Sequence, residues 1–161
     1  MADTDPHILA PGLAPTPFTA AEIRAGCPVG RVSVVRTAHG LGSIRFASDD
    51  EEGAWIEDTP LDESGAAAGP VERGRSTWRE LQEHAAFPLE STTIERVELA
   101  GPLGRLPCLR YSVRRGDAVL VFWFAVGLPG MPIRVERTEG DETTVTLEVV
   151  AFSGLPEAPG R

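Results

Sequence analysis

The side chains of this chain that could do chemistry are three histidines, two cysteines, one tyrosine and an acidic run, and none has a spacing that completes a reaction centre. Cys27 and Cys108 lie too far apart for a C-x-x-C redox or zinc pattern. They read as buried free thiols in a reducing compartment, or as a disulfide if the protein is exported. His7 falls in a proline-rich start, His39 at a hairpin turn, and His84 near a helix end where a cation meets the helix dipole. No two share ligand spacing, so neither a metal site nor any other cofactor is expected. Asp49-Asp50-Glu51-Glu52 lacks the alternating ligands and distal glutamate of a calcium loop and reads as a solvated hairpin tip. Ser43 follows His39-Gly40-Leu41-Gly42 without a G-x-S-x-G, so those glycines read as turn residues. No acid, base and nucleophile converge, and an enzyme is not expected; a pocket gathering His84 or His39 with a carboxylate would restore that class.

The second group is aromatic. Phe122, Trp123 and Phe124 sit in one apolar run, and folding of the neighbouring strands would bring Trp55 and Tyr111 near them, with Trp78 facing them from a helix. Two readings stand: these rings fill a core, or they line an apolar cavity for a lipid-like or aromatic ligand.

Composition removes further classes. All 15 basic residues are arginine, so a Schiff-base lysine and the usual P-loop are excluded. Without asparagine there is no N-x-[ST] acceptor and no Asn-Gly turn, which leaves turns to Gly and Asp. The formal charge of -9 argues against nucleic acid and anionic lipid, and the densest basic group, Arg110, Arg114 and Arg115, is surrounded by acids in sequence. No apolar run is long enough for a membrane span, and the start carries no signal peptide or lipobox, so as written the chain is expected in the cytoplasm.

The elements that must position these residues follow from periodicity. Residues 1–17, with Pro6, Pro11, Pro15 and Pro17, read as a flexible arm, 18–153 as one domain, and 154–161 as a flexible tail. Thr19 with Glu22 forms a capping box, and Phe18 with Ile23 a hydrophobic staple, for a helix of under two turns stopped by Gly26 and Pro28. Thr77-Trp78-Arg79-Glu80 starts a second helix running to about His84, with Trp78, Leu81 and Ala85 as its apolar stripe. Alternation predicts strands at 31–38, 43–48, 54–59, 93–100, 106–115, 118–126, 132–138 and 143–152, with 62–70 as a mobile loop. The run 118–126 is apolar on both faces and must be covered on both.

Pro102-Leu103-Gly104, Cys108-Leu109-Arg110-Tyr111, Trp123-Phe124 and Leu128-Pro129-Gly130-Met131-Pro132-Ile133-Arg134-Val135-Glu136 resemble the closing strands of the lipoprotein-carrier-like half-barrel and its uncharacterised bacterial relatives. The resemblance covers roughly the last third of the chain. It implies a strongly curved antiparallel sheet wrapped around helices, and in the better known members an acyl chain on the concave face; the missing signal peptide departs from them. The expected fold is therefore α+β: a half-barrel of about eight strands, mostly meander, with one or two short helices packed on its concave face. The leading expectation is a non-catalytic binding module for an apolar small molecule or acyl chain. The alternative is a protein-interaction or accessory subunit with a filled core and an exposed apolar patch.

Overall fold

The structure, a computed structural model, describes residues 4–155. Nine strands form one antiparallel sheet that does not close. They are β1 (Val32–Thr37), β2 (Gly40–Asp49), β3 (Gly53–Leu61), β4 (Glu72–Thr77), β5 (Thr92–Gly101), β6 (Gly104–Arg115), β7 (Ala118–Ala125), β8 (Arg134–Glu139) and β9 (Glu142–Ser153). Their spatial order, β4-β3-β2-β1-β9-β8-β7-β6-β5, joins two meanders at a β1–β9 seam. The α+β meander is thus as the alternation predicts, with one correction in strand number. Glu72–Thr77 was not expected as a strand, because Glu-Arg-Gly-Arg-Ser-Thr has no apolar residue to report a period of two. Backbone pairing with β3, from Gly53↔Thr77 to Asp58↔Glu72, creates it, and an edge position tolerates a polar strand.

The connection between the two edge strands bends the sheet. Between Thr77 and Thr92 run α2 (Trp78–Glu83), five further residues and a short 3-10 turn (Leu89–Ser91). That stretch reaches at most about 35 Å, while nine flat strands span about 38 Å. The chain must also rise over side chains on its way, so the sheet curls toward the face that carries the helices.

Both helices start as their capping boxes require. In α1 (Ala20–Gly26) the Thr19 hydroxyl accepts from the Glu22 N–H, and the Glu22 carboxylate accepts from the Thr19 N–H; Thr77 and Glu80 repeat this at α2. Phe18 and Ile23, the staple pair, are both buried. The face under the helices gathers Phe18, Ile23, Cys27, Phe46, Trp78, Phe87, Tyr111 and Phe124. A second cluster joins Val35, Cys108, Trp123, Ala125, Ile133 and Val149. Strand β7 feeds both clusters through its alternate residues, which is why it is apolar on both faces.

Residues 4–17, the stretch expected as a flexible arm, make backbone and side-chain contacts with the domain. Ala14 donates to the Phe87 carbonyl and Leu89 to that of Gly12, forming a bridge beside the 3-10 turn. Gln82, the only glutamine and 3 % exposed, ties three segments together. Its amide donates to the Pro6 carbonyl and to Thr16 Oγ1, each at 2.9 Å, and its Oε1 accepts from the Ala20 N–H at 2.9 Å. The Tyr111 hydroxyl donates to the Pro15 carbonyl. Proline repeats look like a free arm in sequence because they cannot report long-range partners. In the stretch 62–70, Asp62 Oδ1 organises a tight turn by accepting from the Ser64 and Ala66 N–H groups. Of the expected tail, residues 156–161 lie outside the described residues.

Candidate functional site

A cavity of about 360 Å³ lies between the two helices and the β1–β4 side of the sheet. Strand register builds its wall. Arg31 accepts through its carbonyl from the Phe46 N–H, and Phe46 pairs with Ile56, which pairs with Gly74. Two residues along, Ser33 pairs with Ile44, Ile44 with Asp58, and Asp58 with Glu72. A period of two puts both rows on one face. Ile23 of α1, Leu81 of α2 and the loop Gly130-Met131-Pro132 complete the enclosure. An added Cβ at Gly74 would meet nothing within 4 Å, so the space is open there.

Arg31 is the site's unusual group. It is 1 % exposed and lines the cavity. Its Nη1 donates to the Gly26 carbonyl at 2.9 Å, to Cys27 Sγ at 2.8 Å and to the Pro129 carbonyl. The Phe152 ring lies under the guanidinium, 4.9 Å away. The arginine therefore caps the Gly26 carbonyl at the end of α1 and fastens that helix end to the β7–β8 loop. The packing there is close: a Cβ at Gly26 would stand 2.8 Å from the Pro129 ring, and Gly130 takes φ +128° within reach of Cys27 Sγ. Among the described residues Nε is fully enclosed without a partner, and Nη2 makes no hydrogen bond. No carboxylate pairs with Arg31 among the described residues.

Burial lowers the Arg31 pKa against the pull of Cys27, yet arginine keeps its charge in proteins. The Cys27 thiol is pushed up by burial, which outweighs the attraction of Arg31, so it stays protonated and donates to the Pro129 carbonyl at 3.4 Å. A buried cation with no counter-anion costs several kcal/mol, only partly offset by carbonyl dipoles. Cys27 and Cys108 are both buried free thiols, and burial raises the Cys108 pKa as well.

The aromatic candidates separate. Phe122 and Phe124 line the cavity. Trp78 and Tyr111 are buried in the same cluster without lining it: Trp78 stacks on Phe46 at 6.3 Å, and Tyr111 packs edge-on to Phe124 at 5.3 Å. Two expectations are corrected by strand alternation. Trp55 follows Ala54 and precedes Ile56, so it points to the opposite face, 38 % exposed with Arg73 over its ring at 4.8 Å. Trp123 lies between Phe122 and Phe124 and joins the second cluster, under Arg134, which pairs with Glu136 at 2.8 Å and Glu148 at 2.6 Å. Sequence reasoning passed over Arg31, Ser33, Ile44, Ile56 and Gly74. The one signal for Arg31 was an arginine at the head of an apolar alternating strand.

His84 and Asp58, a histidine and a carboxylate, both line the cavity. No hydrogen bond or ion pair joins them. Partial burial raises the Asp58 pKa, and Glu72 across the β3–β4 pair adds to it. Among the described residues no group of three or more His, Cys, Asp or Glu could hold a metal ion, and no helix is long and apolar enough to cross a membrane.

No family model and no curated protein matches the chain. Among solved structures, the hypothetical protein CT021 from Chlamydia trachomatis is similar at a TM-score of 0.50 and 11 % identity. The match covers 89 % of this chain and 99 % of that one, and the likeness concerns the fold alone.

Proposed function

We propose that the protein is a non-catalytic binding module that holds an apolar small molecule or acyl chain in the cavity between the helices and β1–β4. The observation that carries this reading is the space itself. At about 360 Å³ it falls in the range of small-ligand sites, and its walls are Ile23, Ile44, Phe46, Ile56, Leu81 and Phe122. The resemblance of the closing strands to lipoprotein-carrier-like half-barrels points the same way, since the better known members carry acyl chains on the concave face of their sheet.

His84 and Asp58 at the same cavity favour a second, catalytic reading by residue type. Their lack of contact, and the protonated, hydrogen-bonded state of Cys27, leave that reading without a base–nucleophile pair.

Native mass spectrometry of the freshly purified full chain tests the proposal. A dissociable extra mass, absent under denaturing conditions, is the expected result. A bare mass, together with no uptake of added medium-chain alcohols or acids, would overturn it in favour of an interaction protein.

A further inference from the structure

We infer that the ligand is an apolar carboxylic acid, its tail in the cavity and its carboxylate on Nη2 of Arg31; this rests on the cavity reading above. Three observations converge. The guanidinium lines the cavity at 1 % exposure, deep enough that water competes weakly for its free donors. Among the described residues Nη1 carries every hydrogen bond of the guanidinium, and Nε is fully enclosed, which leaves Nη2 as the nitrogen free to donate to an anion. No side chain of the described residues supplies the counter-anion, because Cys27 is a thiol and every ion pair found involves other partners. The anion is thus expected to arrive with the ligand, and the wall of Ile44, Phe46, Ile56 and Leu81 requires the rest of it to be apolar.

The test compares decanoate, decanol, decylamine and inorganic phosphate on the full wild-type chain by titration calorimetry. Decanoate is expected to bind at least about tenfold tighter than decanol, with decylamine weaker still and phosphate undetected. Decanoate should also shift the Arg31 guanidinium Nη resonances in a 15N spectrum, as a new charged acceptor does. Arg31→Gln should abolish the preference for decanoate over decanol; if that variant fails to fold, the wild-type ratio and the guanidinium shift still decide. Equal binding of decanoate and decanol would overturn this inference and leave the apolar-ligand reading standing. Binding of none of the three decyl compounds would overturn both. Phosphate binding as tightly as decanoate would overturn the apolar acid in favour of a bare oxyanion site.

Discussion

Over β6 and β7 the helix-bearing face carries Tyr111, Phe122 and Phe124, whose rings meet Phe87 and Phe18 at centroid separations of 4.8 to 6.4 Å. Over β1 to β4 the same face carries Ser33, Ile44, Phe46, Ile56, Gly74 and Ser76. The first region is filled because a ring stands against each ring. The second is hollow because, apart from Phe46, which stacks on Trp78, small and aliphatic residues face two short helices. An aromatic-rich strand marks where a sheet protein is solid. The ligand space lies beside it, where the row across the strands ends in glycine and serine.

The sharpest way to break this comparison is to truncate one residue on each side. Phe87→Ala, at a ring 3 % exposed that packs on Tyr111 and Phe122 and does not line the cavity, should cost about 3–5 kcal/mol in a denaturant unfolding series. Ile56→Ala should cost less than half as much, since it widens a space already present. Equal costs would mean that the two regions are packed alike. Gln82→Leu comes next, at about 2–4 kcal/mol, because it strands the Ala20 N–H and removes the donor to the Pro6 carbonyl and Thr16 Oγ1, freeing the arm from the helices. Hydrogen exchange should then rise at residues 6–16 before it rises in the strands; unchanged protection there would show that the arm is held by other contacts.

A smaller effect concerns the filled side alone. Burial lifts the Tyr111 phenol from 10.0 to about 12. The folded state therefore holds this proton more tightly than the unfolded chain does, so stability is complete below pH 10 and declines as pH rises from 10 toward 12. The loss should reach roughly 2–3 kcal/mol. As the only tyrosine, Tyr111 reports it directly: phenolate absorbance should appear together with unfolding, and a free titration near pH 10 in the folded protein would contradict the burial. The smallest change in stability is expected at Gly74→Phe, within about 0.5 kcal/mol, since a side chain there enters open space. The same variant should lose the bound mass seen in native spectra, and undiminished uptake would place the ligand elsewhere.

Much of this was written locally. Capping boxes at Thr19 and Thr77, the staple of Phe18 and Ile23, and the alternation of eight strands are contacts between near neighbours, and each is legible without knowing the rest of the chain. The double apolar face of Ala118–Ala125 announced a strand covered on both sides. Strand Glu72–Thr77 escaped, because its partner and not its own side chains makes it a strand. The contacts of the proline-rich stretch escaped because they run to Gln82 and Tyr111, distant in sequence.

The candidate site divides the same way. Residue type alone nominated Phe122 and Phe124, which line the cavity, together with Trp55 and Trp123, which alternation turns to other surroundings. What local sequence determined was which segments become strands and helices and which faces are apolar, since propensity, capping and period act over a few residues. Only the tertiary structure decided that Arg31 would be buried with Nη2 free to donate and that Gly74 would open the wall beside Ile56. Those outcomes depend on strand order, register and the seam between the two meanders, and so on contacts between residues far apart in the chain.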